Sequence, residues 1–180
     1  MKILIGCERS GVMRRAFEAK GHDATSCDLE PSLDGGKHIV ADVVDLAYSG
    51  EYDMMIAHPP CRYLSYAGAR WWKRPLWKDE QQKALLLFAV LLAAPINQIC
   101  IENPRGLPGR LIRKPDDVIE PYEFGEPYKK RTYLWLKNLP PLIKTHTLTH
   151  YEVNWTERVN GFQRAVTFAG IAAAMAAQYV

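Results

Sequence analysis

Several absences narrow the sequence before any motif is read. Its four cysteines, Cys7, Cys27, Cys61 and Cys100, form no CxxC pair. With no secretory context, free thiols in a reducing cytoplasm are expected. Met1 runs directly into KILIG, so no signal peptide is expected. No apolar run is long enough to span a bilayer: the longest, ALLLFAVLLAA over 84–94, is stopped by Pro95 and reads as a buried helix. No GxGxxG is present, which argues against a dinucleotide-dependent oxidoreductase. Internal repeats and low-complexity linkers are missing too. The formal net charge is only +3, a weak pull toward anionic partners.

What remains is ordinary globular material. The chain has 180 residues, 48% hydrophobic and 24% charged, enough for one domain over 1–180. KILIG (2–6) reads as a buried parallel strand and SGVMRRAFEAKG (10–21) as a helix, with Ser10 as its cap, Gly21 at its end and Val12, Ala16 and Phe17 on one face. HDATSCDL (22–29), HIVADV (38–43), YDMMIAH (52–58) and NQICIEN (97–103) read as further strands, with a helix over 79–94. Alternation of this kind predicts an α/β fold with a Rossmann-like, doubly wound, mostly parallel sheet and right-handed crossovers. Beyond Pro104 prolines break the pattern; KRTYLWL (130–136) is the best strand there, and 165–179 reads as a small-residue helix.

Three stretches carry candidate chemistry. LIGCERSG occupies the turn between the first strand and helix, where doubly wound folds bind ligands, and its helix-start amides can hold an anion. Asp28 closes the second strand, about 20 residues on, where an acid often meets a ribose hydroxyl, and Asp42 closes the third. AHPPCRYLS follows the fourth strand. Its two prolines stiffen the loop and aim Cys61, a candidate nucleophile whose thiolate the adjacent Arg62 can favour. IENPRG places Glu102 at the end of the fifth strand, with Asn103 bonding backbone locally and Pro104 stopping the strand. A thiol and a carboxyl group facing one pocket suit addition to an electron-poor heterocycle. Two signals receive a structural reading. His146 and His150 are four apart, but the threonines between them suit strand or loop, so no metal is expected; Met54 and Met55 read as core.

HPPC and IENP, in this order and spacing, with the LIGCERSG turn and Asp28 before them, resemble the DNA cytosine-C5 methyltransferases over roughly residues 2–136. The resemblance implies a class I S-adenosylmethionine-dependent methyltransferase fold. It implies S-adenosylmethionine against Gly6, Cys7, Glu8, Gly11 and Pro59, with Asp28 on the ribose and Asp42 near the adenine. Cys61 would attack cytosine C6, Glu102 would contact N3 and the exocyclic amine, and Arg131 would contact base or phosphate. Lys129 and Lys130 would be backbone contacts or a solvated face. The family's target-recognition domain is missing: only 137–164 fill its place. The loop CRYLSYAGARWWKRPLWK offers Arg62, Arg70 and Arg74 to phosphates and Trp71 and Trp72 to bases, unless its tryptophans simply anchor it to the core. Low sequence selectivity, or a separate specificity partner, follows. The compact form resembles members carried by phages and prophages. The expected partner is DNA, single-stranded or flipped; the alternatives are RNA, a free nucleotide, or an inactive binder that shields sites from restriction.

Overall fold

A computed structural model describes residues 1–161 and 163–180. Its strands are β1 (Lys2–Gly6), β2 (Asp23–Asp28), β3 (His38–Val40), β4 (Met54–Ala57), β5 (Gln98–Pro104), β6 (Asp117–Ile119) and β7 (Thr132–Lys137). They form one sheet in the order β3-β2-β1-β4-β5-β7-β6. β1 to β5 pair in parallel, while β7 runs antiparallel to both β5 and β6. The predicted doubly wound sheet is therefore present, with one reversed strand.

The helices are α1 (Val12–Glu18), α2 (Val43–Ala47), α3 (Pro75–Leu92), α4 (Pro108–Leu111), α5 (Trp155–Arg158), α6 (Gly161–Ala165) and α7 (Ala169–Gln178). Strand alternation sends side chains to two cores. Ile3, Ile5, Met54, Ile56, Cys100, Leu134 and Leu136 pack with Met13 and Phe17 of α1 and Ile171 and Met175 of α7. Leu4, Met55, Ile99, Ile101 and Trp135 pack on the other face, with Val43 of α2 and Phe88 and Leu91 of α3. Met54 and Met55 are thus core, one on each face. The small residues of α7 allow close approach: a Cβ on Gly170 would lie 2.0 Å from the Phe124 carbonyl oxygen. No described helix is long and apolar enough to cross a membrane.

Several boundaries differ from the sequence pattern. The third strand ends at Val40 because Asp42 turns the chain, its Oδ1 accepting from the Val44 N–H at 2.9 Å to cap α2. α3 starts at Pro75 rather than 79, since proline suits the first helical turn. The last helix starts at Ala169, after an extended Phe168. The first helix covers 12–18, and its cap position is Gly11.

Candidate active site

The site is built where β1, β4 and β5 end together. Gly6 leaves β1 against α2, where a Cβ would meet Val43 Cγ2 at 2.6 Å. Cys7 follows in the left-handed region at φ 57°, a conformation costing a side-chain-bearing residue about 1–2 kcal/mol. Burial pushes its thiol up to about 12, and the charges of Asp28 and Asp42 add to that. Those two carboxylates therefore converge on this turn from β2 and from the start of α2. Asp28 Oδ1 accepts the Glu30 N–H and Asp42 Oδ1 the Val44 N–H. Each keeps its second oxygen free of protein donors among the described residues, as hydroxyl recognition requires.

The rest of the turn departs from expectation. Glu8 is buried, and its carboxylate accepts from the Met13 N–H at 2.8 Å, the Arg14 N–H at 3.4 Å and the Ser10 hydroxyl at 3.0 Å. The helix-start amides expected to hold an external anion are thus engaged by the chain's own carboxylate. Gly11 takes φ 69°, and a Cβ there would lie 2.0 Å from Asp34 Oδ2. Asp34 belongs to a loop that folds back onto α1 through Arg14 and Arg15. Glu8 and Gly11 thus shape the turn, with Gly6 and Cys7 at its start and Asp28 and Asp42 beside it.

The cysteine loop and the Glu-Asn-Pro strand are tied together. Asn103, 1% exposed, donates Nδ2–H to the Pro59 carbonyl at 2.8 Å. This bond reaches across strands instead of closing locally as expected, because β5 and the loop after β4 are neighbours in space. A second tie follows: the Leu107 N–H donates to the Leu64 carbonyl at 2.9 Å, and the Tyr66 N–H to the Arg105 carbonyl at 3.2 Å. A Cβ on Gly106 would lie 2.1 Å from that Leu64 oxygen, so only glycine allows the approach. Cys61 turns the loop, its carbonyl accepting from the Leu64 and Ser65 N–H groups.

Glu102 lies in β5 facing the α1–α7 side, 16% exposed. Its Oε2 is 3.1 Å from His58 Nδ1. Burial raises its carboxyl, but the His58 bond and the Lys130 charge outweigh this and hold it below its ordinary value. Met13, His58, Lys130, Thr132, Thr167 and Phe168 ring the small pocket above it. Cys61 is exposed at the surface, yet enough protein surrounds its sulfur that desolvation pushes the thiol up. Glu102 adds to the rise, whereas Lys130 and Arg164 oppose it. The charged groups felt by the thiol are thus one carboxylate, Glu102, and two cations, Lys130 and Arg164.

Two cations are reassigned. Arg62 does not serve the thiol; its guanidinium lies 5.6 Å from the ring centroids of Tyr63 and Trp77. Arg131 points away from the pocket, and its Nε donates to Glu120 at 3.3 Å. Successive side chains of an extended segment face opposite ways, so Lys130 takes the pocket side. Lys130 Nζ donates to the Arg164 carbonyl at 2.7 Å. Sequence reasoning left Lys130 on the surface and passed over His58 and Thr167. The signal was strand parity: 56 and 58, 100 and 102, and 130, 132 and 134 share one face of the sheet.

The aromatic loop folds on itself. Trp71 and Trp77 lie 6.4 Å apart and Tyr66 and Trp72 5.6 Å apart. The Nε1 atoms of Trp72 and Trp77 are buried, which fits anchoring. Arg74 lies 4.0 Å and Arg70 5.0 Å from the Trp71 ring, forming a cationic outer layer. No cluster that could hold a metal occurs among the described residues.

No family model matches the sequence, and no curated protein does. Solved structures match at the level of fold. Entamoeba histolytica methyltransferase EhMeth is 16% identical with a TM-score of 0.54, over 85% of this chain and 57% of that one. Dnmt2 methyltransferase of S. pombe is 18% identical with a TM-score of 0.53, over 76% and 50%. A variant of Spodoptera frugiperda DNMT2 is 14% identical with a TM-score of 0.53, over 84% and 55%. The chain spans about half the length of the structures it matches. Strand order, the reversed β7 and these likenesses give one conclusion: the chain has the Rossmann-like, doubly wound fold seen in these methyltransferase structures.

Proposed function

We propose that the protein transfers a methyl group to C5 of cytosine in DNA through a covalent adduct at Cys61. One observation carries the reading: the Asn103–Pro59 bond fastens the Cys61 loop to the strand that bears Glu102. A sulfur nucleophile and a carboxyl group are thereby held at one sheet edge, beside the Cys7–Asp28–Asp42 turn. That turn suits a nucleoside-bearing cofactor: Asp28 would hold ribose hydroxyls, Asp42 would lie near the adenine, and Gly6, Cys7 and Pro59 would line the rest. S-adenosylmethionine bound there supplies an electrophilic methyl group.

The chain's own residues account for the remaining chemistry. As the Cys61 sulfur bonds to ring C6, the C5–C6 double bond opens and N3 takes a proton through Glu102, replacing the one lost by the thiol. Once C5 is methylated it loses its hydrogen as a proton, N3 returns its own, and the S–C6 bond breaks to release Cys61. Lys130 favours the thiolate and stabilises charge on the ring. The target base reaches this edge only outside a duplex stack. Arg62, Arg70, Arg74 and Lys129 would meet phosphates, and Trp71 and Trp72 would present stacking surface.

On this reading the chain would act as one catalytic unit without a target-recognition domain inserted between β7 and α7. Only 31 residues separate β7, ending at Lys137, from α7, starting at Ala169. That brevity favours a second substrate class, RNA or a free nucleotide, treated by the same chemistry. Incubation with methyl-labelled S-adenosylmethionine and, separately, single-stranded DNA, duplex DNA, RNA and dCTP decides. Label at cytosine C5 in DNA, absent from Cys61→Ser, is expected. Label confined to RNA or dCTP reassigns the substrate, and none anywhere rejects the reading.

A further inference from the structure

We propose that His58 is a positioning residue for the candidate carboxyl group: its Nδ1–H grips Glu102 by Oε2 and leaves Oε1 for the ring nitrogen and amine of a bound pyrimidine. The inference deepens the function proposed above and rests on it.

His58 is fixed from several directions. It directly follows β4, and its backbone N–H donates to the Gly6 carbonyl at 2.9 Å, fastening it to the end of β1. Its side chain is only 8% exposed. Nδ1 sits 3.1 Å from Glu102 Oε2, and since the carboxylate accepts, the ring must carry its hydrogen on Nδ1. Nε2 is buried with no partner in the described residues, in a ring that lines the pocket. A buried imidazole with one committed and one idle nitrogen is costly as packing alone. Glu102 Oε1, by contrast, has no side-chain hydrogen bond among the described residues. The carboxylate is thus held at one oxygen and open at the other, so Oε1 is left to accept from the exocyclic amine or from a protonated ring nitrogen.

The groups facing His58 are few. β5 contributes Glu102 and the segment before β7 contributes Lys130. α1 contributes Met13, β7 Thr132, and the stretch leading into α7 Thr167 and Phe168, all uncharged. His58 is therefore the one side chain lining this pocket with a hydrogen bond to Glu102 among the described residues, and it sets which carboxyl oxygen stays open.

The test uses the intact protein with a nitrogen-15 histidine label and two variants. His58→Asn keeps an N–H donor near the Nδ1 position but cannot carry charge; His58→Leu removes both. In the wild type, one imidazole should show a hydrogen-bonded Nδ1–H signal that is lost in His58→Asn and shifts in Glu102→Gln. In adduct formation with 5-fluorocytosine DNA, His58→Asn, which keeps a donor, should retain a measurable rate, whereas in His58→Leu the rate should fall about 100-fold. A His58→Leu rate equal to that of wild type, or an Nδ1 signal indifferent to Glu102→Gln, overturns the assignment while leaving the proposed function standing. A wild type that forms no adduct with any pyrimidine rejects the function, and the assignment with it.

Discussion

Asn103 is the sharpest place to test how the site is assembled. Its Nδ2–H bond to the Pro59 carbonyl spans 2.8 Å inside the fold, while its Oδ1 is buried and unpartnered. Asn103→Ala removes the bond and strands the Pro59 oxygen, but it also removes an orphan acceptor. The net loss should be at the low end of about 1–3 kcal/mol. Asn103→Asp is isosteric and should cost more. It sets a carboxylate oxygen against the Pro59 carbonyl and introduces an unpaired buried charge, worth roughly 3–5 kcal/mol. That variant has an escape: a protonated carboxyl can donate to Pro59. Its folded pKa would then lie above the unfolded value of about 3.9. Stability is then retained below about pH 4 and lost as pH rises, by up to about 1.4 kcal/mol per unit. Urea denaturation of wild type and both variants from pH 4 to 8 measures this. An Asn103→Asp deficit that stays constant with pH, or is smaller than that of Asn103→Ala at pH 7, would refute the reasoning.

Further predictions concern the glycines, the acid and the two cations. Gly6→Ala and Gly106→Ala should each lower stability by about 1–3 kcal/mol, because the added methyl meets Val43 at 2.6 Å or the Leu64 oxygen at 2.1 Å; thermal unfolding reads this. The Glu102 carboxyl sits below its ordinary value, so its contribution to stability is present above its unfolded pKa and fades as pH falls through the folded one. Glu102→Gln should therefore flatten part of the acid limb of the stability profile, and an unchanged limb would count against the His58–Glu102 pair. Lys130→Met should move Cys61 alkylation by iodoacetamide to higher pH, while Arg131→Met leaves it in place; the reverse pattern would restore Arg131 to the site.

β1, β4 and β5 were legible because buried parallel strands are near-continuous apolar runs bounded by glycine, aspartate and proline, whereas β2, with Thr25 and Ser26, and the short, largely exposed β3 followed from strand–helix alternation. Cys61 and Glu102 were legible for the same reason, each directly following or ending such a run. β6 was not: three residues, Asp117–Ile119, carry no usable period, and only pairing with β7 makes them a strand. The intramolecular roles of Glu8 and Gly11 were not legible, because a turn sequence does not say whether its amides face solvent or a side chain from the same chain. Arg131 was chosen over Lys130 on chemistry alone. Counting back from Leu134, which pairs with Glu102, would have chosen the even-numbered residue. The roles of Asn103 and His58 depend on partners 44 residues away, a separation that no local pattern encodes.

The central claim is that the Cys61 sulfur and the Glu102 carboxyl act on one cytosine ring. Incubation with S-adenosylmethionine and 5-fluorocytosine DNA, followed by peptide mass spectrometry, tests it directly. A stable adduct on the peptide carrying Cys61, dependent on the cofactor and abolished by Cys61→Ser, is predicted; no adduct, or one on Cys7, Cys27 or Cys100, would contradict it.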